Sequence, residues 1–261
     1  MKYYVLLAAN GYSKYLDCQI SSIDLAFRKA NQFGILFVSF DGNWVKNKIE
    51  ILTKRFYNNI QVIILNGPCQ GVNNNFLYLA NHVISLNNDD YCCFFSDHDD
   101  LWHENKVIMY LNKIQNLEGD DFLIFSNSRL FSTQRSMEKD LWAELNYKGQ
   151  VFGPSKLLIK NCVQGATICA SRSIVETYVN MQNGTIMFDH LVAYIGALKK
   201  CIMPINSLLL NYRIHESNLI GIQARNKYSL PKLKYFLYRI IYFVFWYIKL
   251  KLLDNDYGKR M

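Results

Sequence analysis

The acidic side chains of this chain are concentrated in one place. Phe94-Phe95-Ser96-Asp97-His98-Asp99-Asp100-Leu101-Trp102 sets three carboxylates within four residues, directly after an apolar run. Crowded carboxylates repel one another and cost stability unless a cation neutralises them. Hard oxygen ligands favour Mg2+ or Mn2+, ions that commonly bridge a protein carboxylate and a diphosphate. The competing reading is an Asp-rich turn that caps a helix beginning near Glu104, since short acidic turns are common.

A cluster of this kind needs elements that deliver it to an open edge. Tyr3–Ala9, Ile35–Phe40, Gln61–Leu65, Tyr91–Ser96 and Phe122–Asn127 are apolar runs of strand length, as expected of parallel strands buried on both faces. Leu16–Ala30, Val45–Tyr57, Asn75–Leu86 and Glu104–Leu117 carry apolar residues at helical spacing, for example Ile20, Ile23 and Phe27. Strand and helix in alternation predict a doubly wound α/β domain, which binds ligands outside the carboxyl ends of its strands. Residues 129–160 are less periodic and read as a connecting or substrate-facing segment. After them come an apolar stretch (Ala166–Ala170), helices over Ser173–Met181 and Asp189–Lys199, and a strand over Ser207–His215.

With 51% hydrophobic and 19% charged residues in 261, the chain can bury a sizeable core, which excludes disorder. The +8 net charge is uneven: from Arg225 onward nine cations face two anions, so residues 1–224 are almost neutral. Seven cysteines, several inside apolar runs (Cys92, Cys93, Cys162, Cys169) and none in a C-x-x-C pair, fit a reducing cytoplasm and no structural zinc. The seven apolar residues after Met1-Lys2 read as a first strand, not as a signal segment.

In its motifs the sequence resembles the family 2 glycosyltransferases of the GT-A fold, specifically the bacterial rhamnosyltransferase-like branch. The matching residues, in order, are Ala9-Asn10-Gly11 with Lys14-Tyr15-Leu16, Phe40-Asp41-Gly42-Asn43, and Asn66, Gly71, Asn75 and Phe76. They are followed by Ser96 to Trp102, and then by Tyr212, Arg213, His215, Asn218 and Gly221. The resemblance covers roughly residues 3–221 and implies a GT-A domain over 1–224, with a nucleotide-binding half (1–127), an acceptor-binding half (128–224) and a helical tail (225–261). Its central sheet would be mostly parallel and flanked by helices.

The resemblance implies a nucleotide-diphosphate sugar donor, UDP- or dTDP-linked, held across the strand ends. Asp41 would accept a hydrogen bond from the base, Asn10 and Gly11 would line the base pocket, and Gly71 and Asn75 would belong to the same donor site. Phe40 stands where the family has its first Asp, so one usual nucleotide contact is absent. Asp97 would approach the ribose or the metal's waters, Asp99 would ligate Mn2+ or Mg2+, and Asp100 would cap the following helix. His215, returning on the last strand, would close the metal site, and Arg213 would either pair with phosphate oxygens or make a structural salt bridge. Asp189, in Met187-Phe188-Asp189-His190, would be the general base of an inverting displacement, or else a helix N-cap. Gly165, in Gln164-Gly165-Ala166-Thr167, would let the backbone approach the sugar or serve a strand-entry turn, and Trp102 would pack under the metal loop or stack on sugar.

The segment from Pro231 changes character: ten aromatics lie between Tyr228 and Tyr257, around an apolar core, Ile240–Ile248. Nine helical residues span about 14 Å, too short for a bilayer. Tyr, Trp, Lys and Arg around a short apolar helix suit a membrane surface through residues 231–253, and the alternative is docking on the catalytic domain or a second subunit. The combined expectation is a metal-dependent glycosyltransferase that moves rhamnose or another hexose to a saccharide acceptor on a lipid carrier. It would sit on the cytoplasmic face of the membrane, in O-antigen or capsule synthesis, with no nucleic-acid partner. A lapsed enzyme that only binds nucleotide sugar is the alternative.

Overall fold

The computed structural model describes residues 1–10, 14–42, 57–86, 90–132, 138–150, 152–182, 184–214 and 230–258, with side chains of the last stretch at 234–249. The helix expected over Val45–Tyr57 lies outside these residues except at its end, as do Gly11 and His215.

Strands β1 (Lys2–Ala9), β2 (Gly34–Phe40), β3 (Ile60–Asn66) and β4 (Tyr91–Asp97) form the parallel half of one sheet. The sheet continues through β5 (Leu101–Trp102), β6 (Leu123–Phe131), β7 (Glu138–Asp140), β8 (Cys169–Ser171) and β9 (Ile202–Arg213). Its order is β3-β2-β1-β4-β8-β6-β9-β5, with β7 beside β6. β6 and β9 are parallel, while β8 joins the two halves antiparallel to both neighbours.

The strands read as continuous apolar runs because both faces are covered. Along β1, Val5, Leu7 and Ala9 enter one core and Tyr4, Leu6 and Ala8 enter the other, the period-2 alternation of a strand. Helices α1 (Leu16–Lys29) and, after the next one, α3 (Lys106–Gln115) cover the first face. In α1, Leu16, Ile20, Ile23 and Phe27 form the buried stripe, with Asp17 in the first turn and Arg28 and Lys29 in the last, matching the helix dipole. The second face carries α2 (Val72–Leu86), α6 (Arg172–Met181) and α7 (Phe188–Leu198), and single turns α4 (Leu141–Glu144) and α5 (Pro154–Leu157) precede these last two.

The sequence pattern ends the fifth run at Asn127, but β6 continues to Phe131 through a register shift at Asn127. The side chain of Asn127 explains the continuation. Its amide donates to Asp140 (2.7 Å) and its carbonyl accepts from the backbone of Ser128 and Trp142, so a polar residue is satisfied inside the sheet. β9 likewise begins at Ile202, ahead of the expected Ser207. All seven cysteines are free.

The tail forms helix α8 (Leu230–Gly258), and among the described residues no helix is long and apolar enough to cross a membrane. One face docks on the domain. Phe243 is fully buried, its ring stacks on Tyr194 at 4.1 Å, and the Tyr194 hydroxyl donates to its carbonyl at 2.9 Å. The opposite face leaves Leu237, Ile241, Phe245 and Ile248 between 50% and 69% exposed. The two readings of the tail are therefore not exclusive on the helix: one stripe is docked, and another remains open.

Candidate active site

The register aligns Ala8 with Asp97, Ala9 with Phe40, and Phe40 with Asn66, so β1, β2, β3 and β4 release Asn10, Asp41, Gly67 and His98 at one level of the sheet edge. On the β2 side the organising residue is Asp41. Its Oδ1 accepts from the Cys69 N–H at 2.5 Å and its Oδ2 from the Gly71 N–H at 2.7 Å. Cys69 (φ 57°) and Gly71 (φ 86°) are left-handed, the conformation that turns successive N–H groups toward one anion. Gly67 makes the turn possible, since a Cβ there would lie 2.6 Å from the Phe40 carbonyl oxygen and 2.9 Å from Asp41. A carboxylate has about four acceptor positions, so Asp41 retains capacity for one more donor. Asn10 is exposed beside Gly42, its Oδ1 3.6 Å from where a Cβ on that glycine would stand.

Phe40 is buried in the core beneath this loop. Asn75, expected in the donor site, is 1% exposed and its amide donates to the Ser39 carbonyl at 3.1 Å, so it supports this loop from below.

The acidic cluster follows β4. α1 holds its base: the Gln19 amide donates to Ser96 Oγ at 2.6 Å, and Ser22 Oγ accepts from the Trp102 N–H at 3.0 Å. β9 holds its far side: Asp100 accepts from the Arg213 N–H at 2.9 Å, and Arg213 Nε donates to the Asp99 carbonyl at 2.7 Å. The Arg213 guanidinium lies 4.1 Å from the Tyr15 ring centre and 4.6 Å from that of Phe131, and the residue is buried. Arg213 thus clamps the loop through its own N–H and its Nε. Asp100 does not cap α3 either, because the cap residue there is Asn105, and the second carboxylate oxygen of Asp100 is buried with no hydrogen-bond partner. Trp102 packs under the loop against Phe27 and Phe94, a packing role that the sequence allowed.

Lys106 escaped the sequence reading, since lysines are ordinarily exposed and nothing in its neighbours marks it. It is fully buried, donates to the Ala166 carbonyl at 2.7 Å, and sits 4.0 Å from the Trp102 ring centre. Burial pushes its pKa down to about 7 against the opposing pull of Asp100, Cys169 and Asp97. Burial, and then the charges of Asp99 and Asp189, push Asp97 up to about 7, with Lys106 opposing. Burial, and then Asp99 and Asp97, hold Asp100 well above the carboxylate range, while burial, and then Asp100, Asp97 and Asp99, raise the hydroxyl of Tyr212.

The charge of Asp189 reaches Asp97, so α7 brings a fourth acid near the three of the cluster. It lies in the first turn of α7, whose cap residue is Met187, so Asp189 is not the N-cap. Burial raises its pKa to about 6, opposed by the N–H groups of His190 and Asp189 itself and by the Asn161 side chain. Its neighbour Phe188 is wedged against Phe76 (3.9 Å between ring centres) and Phe95 (5.7 Å), and the Asn73 carbonyl accepts the Phe188 N–H at 3.1 Å while its amide donates to Gly184. Asn73, two residues past the Asp41-bound Gly71, thereby ties the Asp41 turn to the helix of Asp189. Three asparagines in a row (Asn73 to Asn75) were the available signal for it.

Gly165 faces Phe188 and not an open pocket, since a Cβ there would overlap the ring, with Cε2 at 2.9 Å. Phe188 cannot yield because Phe76 and Phe95 hold its other sides. Gly165→Ala is expected to cost about 1–3 kcal/mol, the usual range for overpacking, read as a lowered midpoint in urea unfolding.

Among the described residues no three His, Cys, Asp or Glu side chains are arranged as a ready metal site. The hard carboxylate oxygens of Asp97 and Asp99 and the orphaned Asp100 oxygen nevertheless suit an ion of the Mg2+ type, which takes one or two carboxylates and fills its remaining positions with phosphate and water.

No family model and no curated protein matches the sequence. The fold does match solved structures. Residues 1–349 of TarS from S. aureus in complex with UDP-GlcNAc superpose with a TM-score of 0.58 at 14% identity, over 88% of this chain and 62% of that one. The complex of TarS 1–349 with UDP gives 0.56 at 12% over 82% and 61%, and TarS 1–349 without a named ligand gives 0.56 at 14% over 82% and 60%. The chain spans about three fifths of the length of these structures, and it shares with them the GT-A fold.

Proposed function

We propose that the chain is an inverting glycosyltransferase that moves a hexosyl or deoxyhexosyl unit from a UDP- or dTDP-linked donor to a saccharide acceptor in cell-surface polysaccharide synthesis. The observation that carries this reading is that the Asp41 turn and the Asp97–Asp99 loop leave the carboxyl ends of β2 and β4, on either side of β1 in one sheet, with the charge of Asp189 acting on Asp97. The binding of UDP-GlcNAc and UDP by proteins of the same fold supports it.

In this reading Asp41 receives the N–H of the base beside Asn10, and Gly71 keeps its carboxylate oriented. Asp99, with Asp97 and His215, would hold Mn2+ or Mg2+, an ion that would neutralise charge on the departing diphosphate. Asp189 takes the proton of the acceptor hydroxyl, and a pKa near 6 leaves it ionised at neutral pH yet basic enough for the task. Phe188 and Gly165 set the height of Asp189 above the sheet.

The open stripe of α8, with exposed Lys234 and Lys249 at its ends, suits the cytoplasmic face of an anionic membrane, where each cation contributes about 1 kcal/mol. A lipid-linked acceptor would be presented there.

A panel of UDP- and dTDP-sugars with and without Mn2+ tests the reading. One donor is expected to raise the melting temperature in a metal-dependent manner and to release nucleoside diphosphate, and Asp99→Ala is expected to abolish the metal dependence. Stabilisation without any turnover, even with a saccharide acceptor supplied, would favour a protein that only binds nucleotide sugar. Equal behaviour of Asp99→Ala and the parent would sink the metal assignment.

A further inference from the structure

We propose that Arg239, on the C-terminal helix, is a positioning residue for Asp189, so that α8 is a working wall of the active site as well as a surface-facing tail. The inference rests on the reading of Asp189 as the base.

Arg239 Nη2 donates to the carbonyls of Leu158 and Ile159, each at 3.1 Å, and Nη1 lies 3.3 Å from His190 Nδ1. A guanidinium only donates, so Nδ1 must be the acceptor and the His190 proton resides on Nε2. That nitrogen faces the Leu157 carbonyl, so a single tautomer satisfies both ends of the ring. His190 is 4% exposed, and burial with the Arg239 charge keeps it neutral. Its backbone N–H in turn donates to Asp189 Oδ1 at 2.7 Å. The connection runs from α8 through the imidazole to the first turn of α7 and ends on the reacting carboxylate.

Docking alone does not call for an arginine. Phe243, one turn further along α8, anchors the helix by packing on Tyr194 and on the edge of the His190 ring, with no charge to desolvate. Arg239 is partly buried and its Nε has no partner, a cost that an apolar residue would avoid. What the guanidinium adds is direction: a planar fork reaches two carbonyls and an imidazole at once, which neither lysine nor glutamine can do.

The test compares Arg239→Gln and Arg239→Lys with Trp246→Ala in the full chain, using the nucleotide sugar selected by the panel with Mn2+; Trp246 packs on the domain from the same helix, and its ring contacts are to Tyr242 and Phe245. Both Arg239 variants are expected to lose about 10-fold or more in kcat with donor KM within twofold, whereas Trp246→Ala melts lower but keeps kcat within twofold. Amide exchange at His190 and Leu191 is read in the same proteins without ligand, and it is expected to quicken in the Arg239 variants beyond its rate in Trp246→Ala. Full kcat in both Arg239 variants, or an equal kcat loss in Trp246→Ala, overturns the proposal. If the parent turns over no donor, the functional reading fails and exchange alone decides the structural link: rates equal among the variants overturn it, and a selective rise at Arg239 sustains it.

Discussion

Asp189→Asn is expected to lower sugar transfer by about 100- to 10,000-fold, the span typical of a lost general base, while donor binding measured by thermal shift is kept. Asparagine preserves the shape and can still accept the His190 N–H, so the loss isolates the proton-accepting step. The parent should show an acid limb: transfer falls as pH drops through about 6, where Asp189 is protonated, and the limb should vanish from the residual activity of the variant. Stability should move the other way. A carboxyl whose pKa is raised on folding binds protons more readily in the folded state, so its ionisation works against folding above about pH 6 and makes no difference below about pH 4. Asp189→Asn should therefore melt higher than the parent at pH 7 and equal to it near pH 3.5. A melting gain coupled to an activity loss is the signature of a group held in a costly state for function; a variant that keeps both activity and melting temperature would remove Asp189 from the mechanism.

The second large effect is expected at Asp41. Asp41→Ala strands the N–H groups of Cys69 and Gly71 and leaves Cys69 left-handed with nothing to hold it there. Two charge-assisted hydrogen bonds at about 1.5–3 kcal/mol each set the scale of the loss. A drop in melting temperature on the order of 10 °C follows for a domain of this size, together with loss of detectable donor binding. Asp41→Asn separates the two roles. Its single carbonyl can keep one of the two backbone contacts, so it should melt between parent and Asp41→Ala, yet its amide meets the N–H of the base donor to donor, and donor affinity should fall at least 10-fold. Unchanged affinity in Asp41→Asn would place the base elsewhere.

Much of this molecule is written locally. The strands β1, β2 and β4 announce themselves as apolar runs because both faces of each are buried, β3 because both of its faces are partly covered at the sheet edge, and α1, α2 and α3 because one stripe of each is buried. The acidic loop is equally visible, since three carboxylates in four residues leave few structural explanations. β5 is invisible to any local pattern: two residues, Leu101 and Trp102, become a strand only because β9 supplies Asn211 and Leu210 as partners. Arg213, Asn75 and Lys106 show the same limit in the site. Residue type states what a side chain can donate, but the partners it found, an Asp99 carbonyl, a Ser39 carbonyl and an Ala166 carbonyl, come from segments between 36 and 114 residues away.

The sequence by itself therefore determined the alternating α/β order and the identity of the acidic loop, because those depend on periodicity and on the charge of near neighbours, and the resemblance of its motifs made Asp41 and Asp189 candidates. Only the tertiary structure decided that Asp189 stands near enough for its charge to act on Asp97, that Gly165 yields space to Phe188, and that Arg239 reaches back to His190. Each of those is a contact between distant segments, fixed by how two helices and a sheet pack, and packing is a property of the whole chain that no local window contains.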